Sequence, residues 1–181
     1  SQLRTLIDGF LRYGLEEELE DQIIAGGGTG EDFEGILTNS SVQSQAFDTD
    51  ILTTARKAKT KVRVVGLARA NAYLMHPNDW EMYDLELTLG GTQVNRIAAE
   101  ESAPRLWGLP VIESEAVPEG TAIVGDFRQA ILWDREQASI QASDGVNNFF
   151  LKNMVALLAE MRAAFGIIRP TAFVSIDVSG S

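Results

Sequence analysis

Hydrophobic residues recur at steps of three and four along the first part of the chain, residues 3–24. An α-helix turns once in 3.6 residues, so this spacing puts them on one face and predicts an amphipathic helix. Gly9 and Gly14 interrupt the helix, and each weakens it by about 1 kcal/mol relative to alanine. The apolar positions of the stripe are Leu3, Leu6, Ile7, Phe10, Leu11, Leu15, Leu19 and Ile23.

A glycine-rich segment, GGGTG, follows this helix and raises the question of a phosphate-binding loop. A Walker loop needs lysine and then Ser or Thr directly after its last glycine, but Glu31 and Asp32 stand there. A dinucleotide-binding loop joins a strand to a helix, whereas this segment follows a helix. We therefore favour a helix terminator and hairpin, anchored by Phe33 and Ile36, and expect no cofactor.

A second helix is predicted after Asp48 or Thr49, either of which can cap it, and it should run to about Thr60. The segment NAYLMHPNDW then predicts a strand that ends at His76, followed by a third helix with Pro77 at its first position. We interpret His76 as a structural residue at this junction rather than as a catalytic base. The inward-facing residues of the second helix should be Ile51, Leu52 and Ala55.

Short extended segments follow further along the chain. LGGTQV predicts a turn, and residues 105–114 are predicted to be extended. TAIVGDF and QAILWDR predict two short strands separated by a turn, while ASIQASD alternates as an edge strand does. Trp107 begins the motif WGLP, where an indole can anchor a strand against a sheet. We expect that ring to be buried, so Trp107→Ala should cost about 3–5 kcal/mol of stability.

The last long segment, NNFFLKNMVALLAEMRAAFGIIRP, fits two patterns. Five residues make a helical stripe, and seven alternate at the period of a strand, so periodicity leaves helix and strand open. The helical set is Met154, Leu157, Leu158, Met161 and Phe165. The alternating set is Val155, Leu157, Ala159, Met161, Ala163, Phe165 and Ile167, with Glu160 and Arg162 on the opposite face. The whole pattern predicts an α+β chain.

The composition is informative mainly through the kinds of functional site that it excludes. The 181 residues include no cysteine and one histidine, so thiolate and multi-histidine metal sites are ruled out, and no metal is expected. No apolar run approaches the roughly 20 residues of a membrane helix. The sequence also contains no Ser-His-Asp set, nucleophile elbow or paired-carboxylate motif. A net charge of −11 disfavours binding to nucleic-acid phosphates unless the cations cluster.

The charges do cluster. Cations gather in ARKAKTKVR, and acids gather in LEEELED and EDFEG. One interpretation is that these are ordinary solvated helix faces. The other is that they are complementary patches on neighbouring copies of the chain, since opposite charges can steer association.

Four stretches of the sequence together carry a resemblance. They are LEDQIIAGGGTGEDFEGIL, LMHPNDWEMYDLEL, PRLWGLPVIESEAVPEGTAIVGDF and NFFLKNMVALLAEMRAAFGIIRPTAFV. Each is weakly specific alone, but in this order they resemble the C-terminal half of the major capsid proteins of tailed bacteriophages of the Hong Kong 97 type. The resemblance covers nearly the whole chain.

The resemblance implies an α+β capsid fold with two domains. A peripheral domain with a long spine helix and a long sheet would comprise residues 1–25 and 133–166. An axial domain, which packs around five-fold and six-fold axes, would comprise 26–132 and 167–181. Residues 153–169 should then be a long strand. The chain begins within the spine helix, so we expect a fragment without the N-terminal arm and extended loop, unable to form closed shells alone.

The resemblance also implies a structural role and no conventional enzyme activity. We expect a subunit of an icosahedral bacteriophage or prophage capsid that self-assembles into pentamers and hexamers enclosing double-stranded DNA without specific binding. Its partners would be copies of itself, with scaffold, protease and portal proteins as further candidates and no membrane. It would lie in the virion capsid after assembly in the bacterial host cytoplasm. The alternative is the shell protein of a bacterial encapsulin compartment, which shares this architecture.

Some members of this family cross-link their subunits through an isopeptide bond between a lysine and an asparagine, assisted by a glutamate. The acceptor lies in a Lys-Asn-Met motif with the glutamate seven residues later, and here Asn153 and Glu160 match both positions. The lysine amine would attack the Asn153 carboxamide and expel ammonia, with Glu160 accepting the proton. In those relatives the donor lysine lies on the extended loop. The alternative is that Asn153 caps a turn and Glu160 pairs with Arg162 or a neighbour.

Overall fold

A computed structural model describes residues 2–89, 104–143, 145 and 152–180, and within these ranges the chain combines helices with strands as predicted. The predicted turn in LGGTQV lies outside the described residues, apart from its first leucine. The helices are α1 (Gln2–Ala25), α2 (Ile51–Val64) and α3 (Pro77–Leu89). The strands are β1 (Gln43–Gln45), β2 (Ala72–Met75), β3 (Arg105–Leu106), β4 (Leu109–Glu113), β5 (Thr121–Gly125), β6 (Ala130–Ser143), β7 (Ala156–Ile167) and β8 (Phe173–Asp177).

The larger sheet has six strands in the order β1-β8-β5-β2-β4-β3. β5 runs antiparallel to both of its neighbours, whereas β1 is parallel to β8 and β4 is parallel to β2. α2 packs against β5 and β8, and its predicted inward residues Ile51 and Ala55 are buried. The Tyr73 hydroxyl of β2 donates a hydrogen bond of 3.0 Å to the Ala55 carbonyl. The main core therefore lies between α2 and this sheet.

The second sheet is a ribbon of two antiparallel strands, β6 and β7, against which α1 packs. The long strand predicted near the C-terminus is confirmed in its main part, and the helical alternative is wrong. The register runs from Ala130 opposite Ile167 to Ser143 opposite Ala156. A partner strand can satisfy the backbone hydrogen bonds of a period-two segment, and β6 supplies that partner. The assignment of residues to peripheral and axial domains stays a prediction.

The ribbon differs from expectation at two places. β6 is one strand of 14 residues, where the sequence predicts shorter separate strands. Its pairing is interrupted between Asp134 and Glu136 and again between Glu136 and Ser139, and such bulges break the regular alternation. β7 begins three residues later than expected, because Asn153 lies in a turn with a φ of 54°.

The N-cap of α2 also differs from the prediction. Asp50 is the N-cap, and its Oδ1 accepts a hydrogen bond of 2.5 Å from the Thr53 backbone N–H. Asp48 and Thr49 lie further upstream, where the Asp48 N–H donates to the hydroxyl of the buried Thr54 at 2.9 Å. The helix continues past Thr60 to Val64, since the buried stripe itself continues to Val62.

The GGGTG segment ends α1 and opens a hairpin, as predicted. The Gly28 N–H donates to the Phe33 carbonyl at 2.8 Å across the turn. Ile36 is fully buried, and the Phe33 ring lies 6.2 Å from the Phe165 ring of β7. The hairpin therefore fastens the end of α1 to the ribbon.

Trp107 is not the buried anchor that the sequence suggests, because its side chain is 45% exposed. Leu106, which is 1% exposed, occupies the interior position instead. A tight turn, in which Trp107 has a φ of 50°, directs the Trp107 side chain outward. The indole Nε1 donates to the Leu52 carbonyl at 3.0 Å, and the Arg56 guanidinium carbon lies 5.8 Å from the ring centroid. The indole therefore lies across α2, and its truncation should cost less than a buried ring would.

The two sheets are connected at Asp126, which is buried between β5 and β6. Its Oδ1 accepts a hydrogen bond from Arg128 Nε at 2.8 Å, and its Oδ2 accepts one from Arg128 Nη2 at 3.1 Å. The Arg128 guanidinium holds the pKa of this carboxyl below its ordinary value, although burial acts in the opposite direction. The Asp126 N–H also donates to the Ala172 carbonyl. The segment that leads from the larger sheet into the ribbon therefore meets the segment that leads back.

We expect Gly26→Ala to destabilise the chain by about 1–3 kcal/mol, because it overpacks the hairpin. A Cβ at this position would lie 2.5 Å from the backbone oxygens of Gln22 and Phe33. The matched control is Gly14→Ala, where no described atom beyond the helix's own backbone lies within 4 Å. There the better helix propensity of alanine should stabilise by about 1 kcal/mol. Urea unfolding measures the change in the free energy of unfolding for each variant. Equal changes in the two variants would contradict the packing argument.

We expect Asp126→Asn to destabilise the chain at neutral pH by about 1–2 kcal/mol, since one partner of a charged, bidentate pair is lost. Because the folded-state pKa of Asp126 lies below its unfolded value, the ionised carboxylate contributes its full stabilisation above the unfolded pKa, about 3.9. It is lost as pH falls through the folded pKa. The difference in unfolding free energy between wild type and variant should therefore shrink below about pH 4. A difference independent of pH from 7 to 2.5 would rule this out.

Candidate functional site

Asn153 lies in a turn directly before β7, and its side chain is exposed. Its φ of 54° is in the left-handed region, which asparagine tolerates better than most residues. The turn therefore explains an asparagine here without any chemistry, as one of the two sequence interpretations proposes. It also presents the carboxamide at the end of the ribbon, where another molecule can approach.

Glu160 lies within β7 opposite Ser139 of β6, and it is half-buried. Four residue steps separate Ala156 from Glu160, which is about 13 Å of extended strand. Asn153 lies still further back, so the fold of one chain does not bring the carboxamide and the carboxylate together. A site that uses both residues needs Asn153 and Glu160 from different copies.

The expected partner of Glu160 is engaged elsewhere. Arg162 lies opposite Glu136 on β6, and Arg162 Nε is 3.5 Å from a Glu136 carboxylate oxygen. Both side chains are largely exposed, so this ion pair contributes little to stability. Arg162 also lines a groove between α1, the hairpin and the ribbon, together with Arg135.

The glycine-rich segment uses its amides internally. The N–H groups of Gly26 and Gly28 donate to the carbonyls of Gln22 and Phe33 at 3.0 and 2.8 Å. A phosphate cradle would need such donors to point at the ligand. Gly26 is also buried, because α1 and the returning hairpin approach each other too closely for a side chain. Gly26 therefore has a packing role, and the positive φ of Gly28 and Gly30, 68° and 70°, suits the turn.

His76 lies at the junction of β2 and α3, where its Nδ1 accepts a hydrogen bond of 3.1 Å from the Asn78 backbone N–H. Asp79 in the first turn accepts a hydrogen bond of 2.9 Å from the Gly120 N–H. Burial raises the pKa of Asp79, and the Gly120 hydrogen bond opposes that shift. These contacts attach α3 to the turn before β5, which is a structural arrangement.

Among the described residues, no group of three His, Cys, Asp or Glu side chains is arranged to hold a metal ion. In the same part of the chain, no helix is both long and apolar enough to cross a membrane. What the described surface does offer is a set of exposed hydrophobic side chains.

The N-terminal half of α1 presents an apolar face to solvent. Leu6 is 56% exposed and Phe10 is 68% exposed, and both belong to the apolar stripe that the sequence predicts. With Gly9 and Tyr13 they border a groove of about 740 Å³. Nearer the C-terminal end of the helix, Leu19 and Ile23 of the same stripe are half-buried, and the adjacent Ile24 is buried. Periodicity identified the stripe, but only the structure shows which half stays open.

The β6–β7 ribbon also keeps large hydrophobic side chains on its surface. They are Leu132 and Trp133 on β6, Leu157 and Leu158 on β7, and Met154 and Val155 just before β7. Burying such side chains against a partner is favourable, so the ribbon is a candidate for contact with another molecule. The chain thus offers surfaces for association on both α1 and the ribbon.

Comparison with known proteins agrees with this arrangement. Residues 1–178 match the profile of the Phage capsid family. The chain is 30% identical, over 182 aligned positions, to the major capsid protein of Enterobacteria phage HK97. That match covers 95% of this chain and 46% of the relative, so the chain spans about half of the relative's length.

Solved structures show the same fold at low sequence identity. A structure from Gordonia phage Cozz superposes with a TM-score of 0.78 at 15% identity, covering 99% of this chain and 64% of the other. The SrpI encapsulin of Synechococcus elongatus superposes with a TM-score of 0.67 at 18% identity, covering 97% and 64%. The family profile extends over both sheets and all three helices, and the chain belongs to the phage capsid family.

Proposed function

We propose that this chain is part of a shell subunit that self-assembles into the icosahedral capsid of a bacteriophage or prophage, in pentamers and hexamers that enclose double-stranded DNA. The observation that carries this proposal is the uncovered apolar face of α1 together with the exposed hydrophobic ribbon, in a member of the phage capsid family. Fully burying a side chain such as Leu6 or Phe10 contributes about 1.5–3 kcal/mol. Neighbouring copies would supply that cover.

The charge of the chain supports enclosure of DNA without tight binding. The sequence carries 26 acidic and 15 basic residues, and a surface of that balance repels phosphate overall. DNA inside such a shell could then move during packaging and release. Neighbouring copies would be the main partners, with scaffold, protease and portal proteins as further candidates. Assembly would take place in the host cytoplasm.

The layout of the sheets supports the expected division into two domains. α1 packs on the β6–β7 ribbon, which would form the peripheral part, and the six-stranded sheet with α2 would form the axial part. The chain passes between the two at Asp126 and again near Arg169, close to the boundaries expected at 132–133 and 166–167. The ribbon would then reach towards neighbouring capsomers.

The alternative function is the shell of an encapsulin compartment, since one structural neighbour is an encapsulin. At 18% identity that likeness supports the fold alone, whereas the 30% identical relative is a phage capsid protein. The two kinds of shell differ in what they enclose. A capsid should contain nuclease-protected DNA, and a compartment should contain a cargo protein.

An isopeptide cross-link is the second candidate activity, and the exposed carboxamide of Asn153 supports it. A neutral lysine amine would form a bond to the carboxamide carbon while the C–N bond to the amide nitrogen breaks. The lysine loses one proton and the leaving group departs as ammonia, so the atoms balance. Glu160 of a different copy would accept and return that proton, and contact with the neighbour would exclude water from it.

Leu6→Ser combined with Phe10→Ser should abolish particles of the full gene product that contains this chain, because the apolar face loses its attraction for a neighbour. Both side chains are exposed, so thermal unfolding of the isolated chain should change little. The matched control, Arg4→Ser with Arg12→Ser on the same helix, should still assemble. Negative-stain electron microscopy and sedimentation measure assembly. Normal particles from the Leu6 and Phe10 variant would remove this face from the interface, and wild-type protein without any particles would overturn the shell function.

Asn153→Asp should eliminate covalent ladders from mature particles on denaturing electrophoresis, because a carboxylate is not attacked by an amine under these conditions. Aspartate also tolerates the left-handed turn, so assembly should persist. Glu160→Gln should slow ladder formation by a factor of about 10²–10⁴, the usual contribution of a general base. Mature wild-type particles that give only monomer bands would exclude the reaction while leaving the structural role intact.

A further inference from the structure

The cations of this chain are concentrated on one helix. α2 contains five of them and no carboxylate: Arg56, Lys57, Lys59, Lys61 and Arg63. Since the whole sequence has 15 basic and 26 acidic residues, α2 is a basic segment of an acidic chain, although Lys57 pairs with Asp48 upstream of the helix.

One side of α2 combines this charge with exposed hydrophobic side chains. Arg56, Lys57 and Lys61 border a groove of about 380 Å³ together with Val64 and Val65, and we call these five residues the basic face. Both valines are largely exposed. The groove opens beside β1, where Lys61 Nζ donates to the Ser44 carbonyl at 2.8 Å.

The structure assembles a matching acidic surface from two distant segments of the sequence. Carboxylates of α1 and of the turn after β4 border a groove of about 470 Å³, with no lysine or arginine among its lining residues. We call its members the acidic face: Glu16, Glu17, Glu20, Asp21, Glu113 and Glu115. The buried Ser114 hydroxyl donates to Glu20 Oε1 at 2.5 Å, and this bond holds the two segments together.

The two faces lie at opposite edges of the six-stranded sheet. The basic face borders β1, which is the first strand in the sheet order. The acidic face lies at the Glu113 end of β4, where β4 is itself the edge because β3 pairs only with Leu109 and Pro110. Four strand spacings of about 4.8 Å, or about 19 Å, separate β1 from β4. The two faces of one chain therefore cannot neutralise each other.

We infer that the acidic face of one copy docks on the basic face of the next copy, in a head-to-tail contact. This inference rests on the proposed self-assembly and identifies which surfaces meet. A contact between two different patches can repeat around a ring, as pentamers and hexamers require, whereas a contact between two identical patches stops at a dimer. Opposite potentials speed the encounter and fix its register, and the valines add apolar burial.

Charge exchange tests this contact. Lys57→Glu with Lys61→Glu leaves Arg56 as the one cation of the basic face, so both faces become acidic. Glu16→Lys, Glu17→Lys, Asp21→Lys and Glu115→Lys leave two carboxylates beside four lysines on the acidic face, so both faces become basic. Each of these two variants of the full gene product should lose particle yield by about tenfold or more, because like charges then oppose each other. The variant carrying all six substitutions restores opposite charges and should recover assembly. Arg4→Glu with Arg169→Glu changes the net charge as the first variant does, lies outside both faces, and should assemble normally.

A mixture of two chains separates this inference from the shell function. The variant with two acidic faces and the variant with two basic faces should each sediment as unassociated protein, but together they should associate, and 0.5 M salt should weaken that association. Association only in the mixture supports the contact even if no closed particle forms. Circular dichroism and thermal unfolding of each variant establish that it is folded.

Three results would overturn the contact. One is wild-type particle yield from either the variant with two acidic faces or the variant with two basic faces. Another is failure of the folded six-substitution variant to recover assembly. The third is wild-type yield of particles that lack DNA from the Lys57 and Lys61 variant, which would assign the basic face to nucleic acid.

Discussion

The antiparallel pairing of β6 with β7 is the interaction on which the rest of the architecture depends. The ribbon leaves the six-stranded sheet after β5 and returns just before β8, and these two strands are neighbours in that sheet. The ribbon must therefore close on itself for the larger sheet to form. Near its base Gly166 faces Trp133, where an added Cβ would lie 3.1 Å from the indole. The same ribbon receives α1 and, through Phe165, the glycine hairpin.

This construction leaves surface uncovered by necessity. A ribbon of two strands and a single long helix have more apolar faces than they can cover for each other, and an isolated pair of strands is only marginally stable in water. The main core under α2 is complete, with Phe173, Val174 and Ile123 fully buried. The ribbon and the first half of α1 instead keep Trp133, Leu158 and Phe10 exposed. In the proposed assembly, neighbouring copies would cover these side chains and so stabilise this part.

The separation of charge follows the same division. Each cluster is visible in the sequence, in ARKAKTKVR and in LEEELED, but its surroundings are not. The acidic face gains Glu113 and Glu115 only because β4 ends beside α1. The basic face gains an apolar border because α2 continues to Val64, beyond the end predicted at about Thr60. Association through such faces would depend on salt, whereas burial of the α1 stripe would depend on it much less.

Sequence patterns were most informative where one local force dominates. The α1 stripe, the Pro77 helix start and the glycine hairpin follow from periodicity and backbone preference, and all three are confirmed. The same reasoning failed at Trp107, because a tight turn reversed which of two adjacent residues faces the core. The family resemblance in turn placed Asn153 inside a strand, whereas the pairing of β7 begins at Ala156.

The sequence by itself determined the elements, the family resemblance and the candidate residues Asn153 and Glu160. Only the tertiary structure decided that Asn153 lies in an exposed turn and that Glu160 lies too far along β7 to reach it in the same chain. It also decided that Asp126 joins the two sheets through Arg128 and Ala172. The physical reason is that periodicity reports how a segment distributes polar and apolar side chains about its own axis. Burial, pairing and separation depend on which other segments arrive beside it, and those contacts join residues far apart in the sequence.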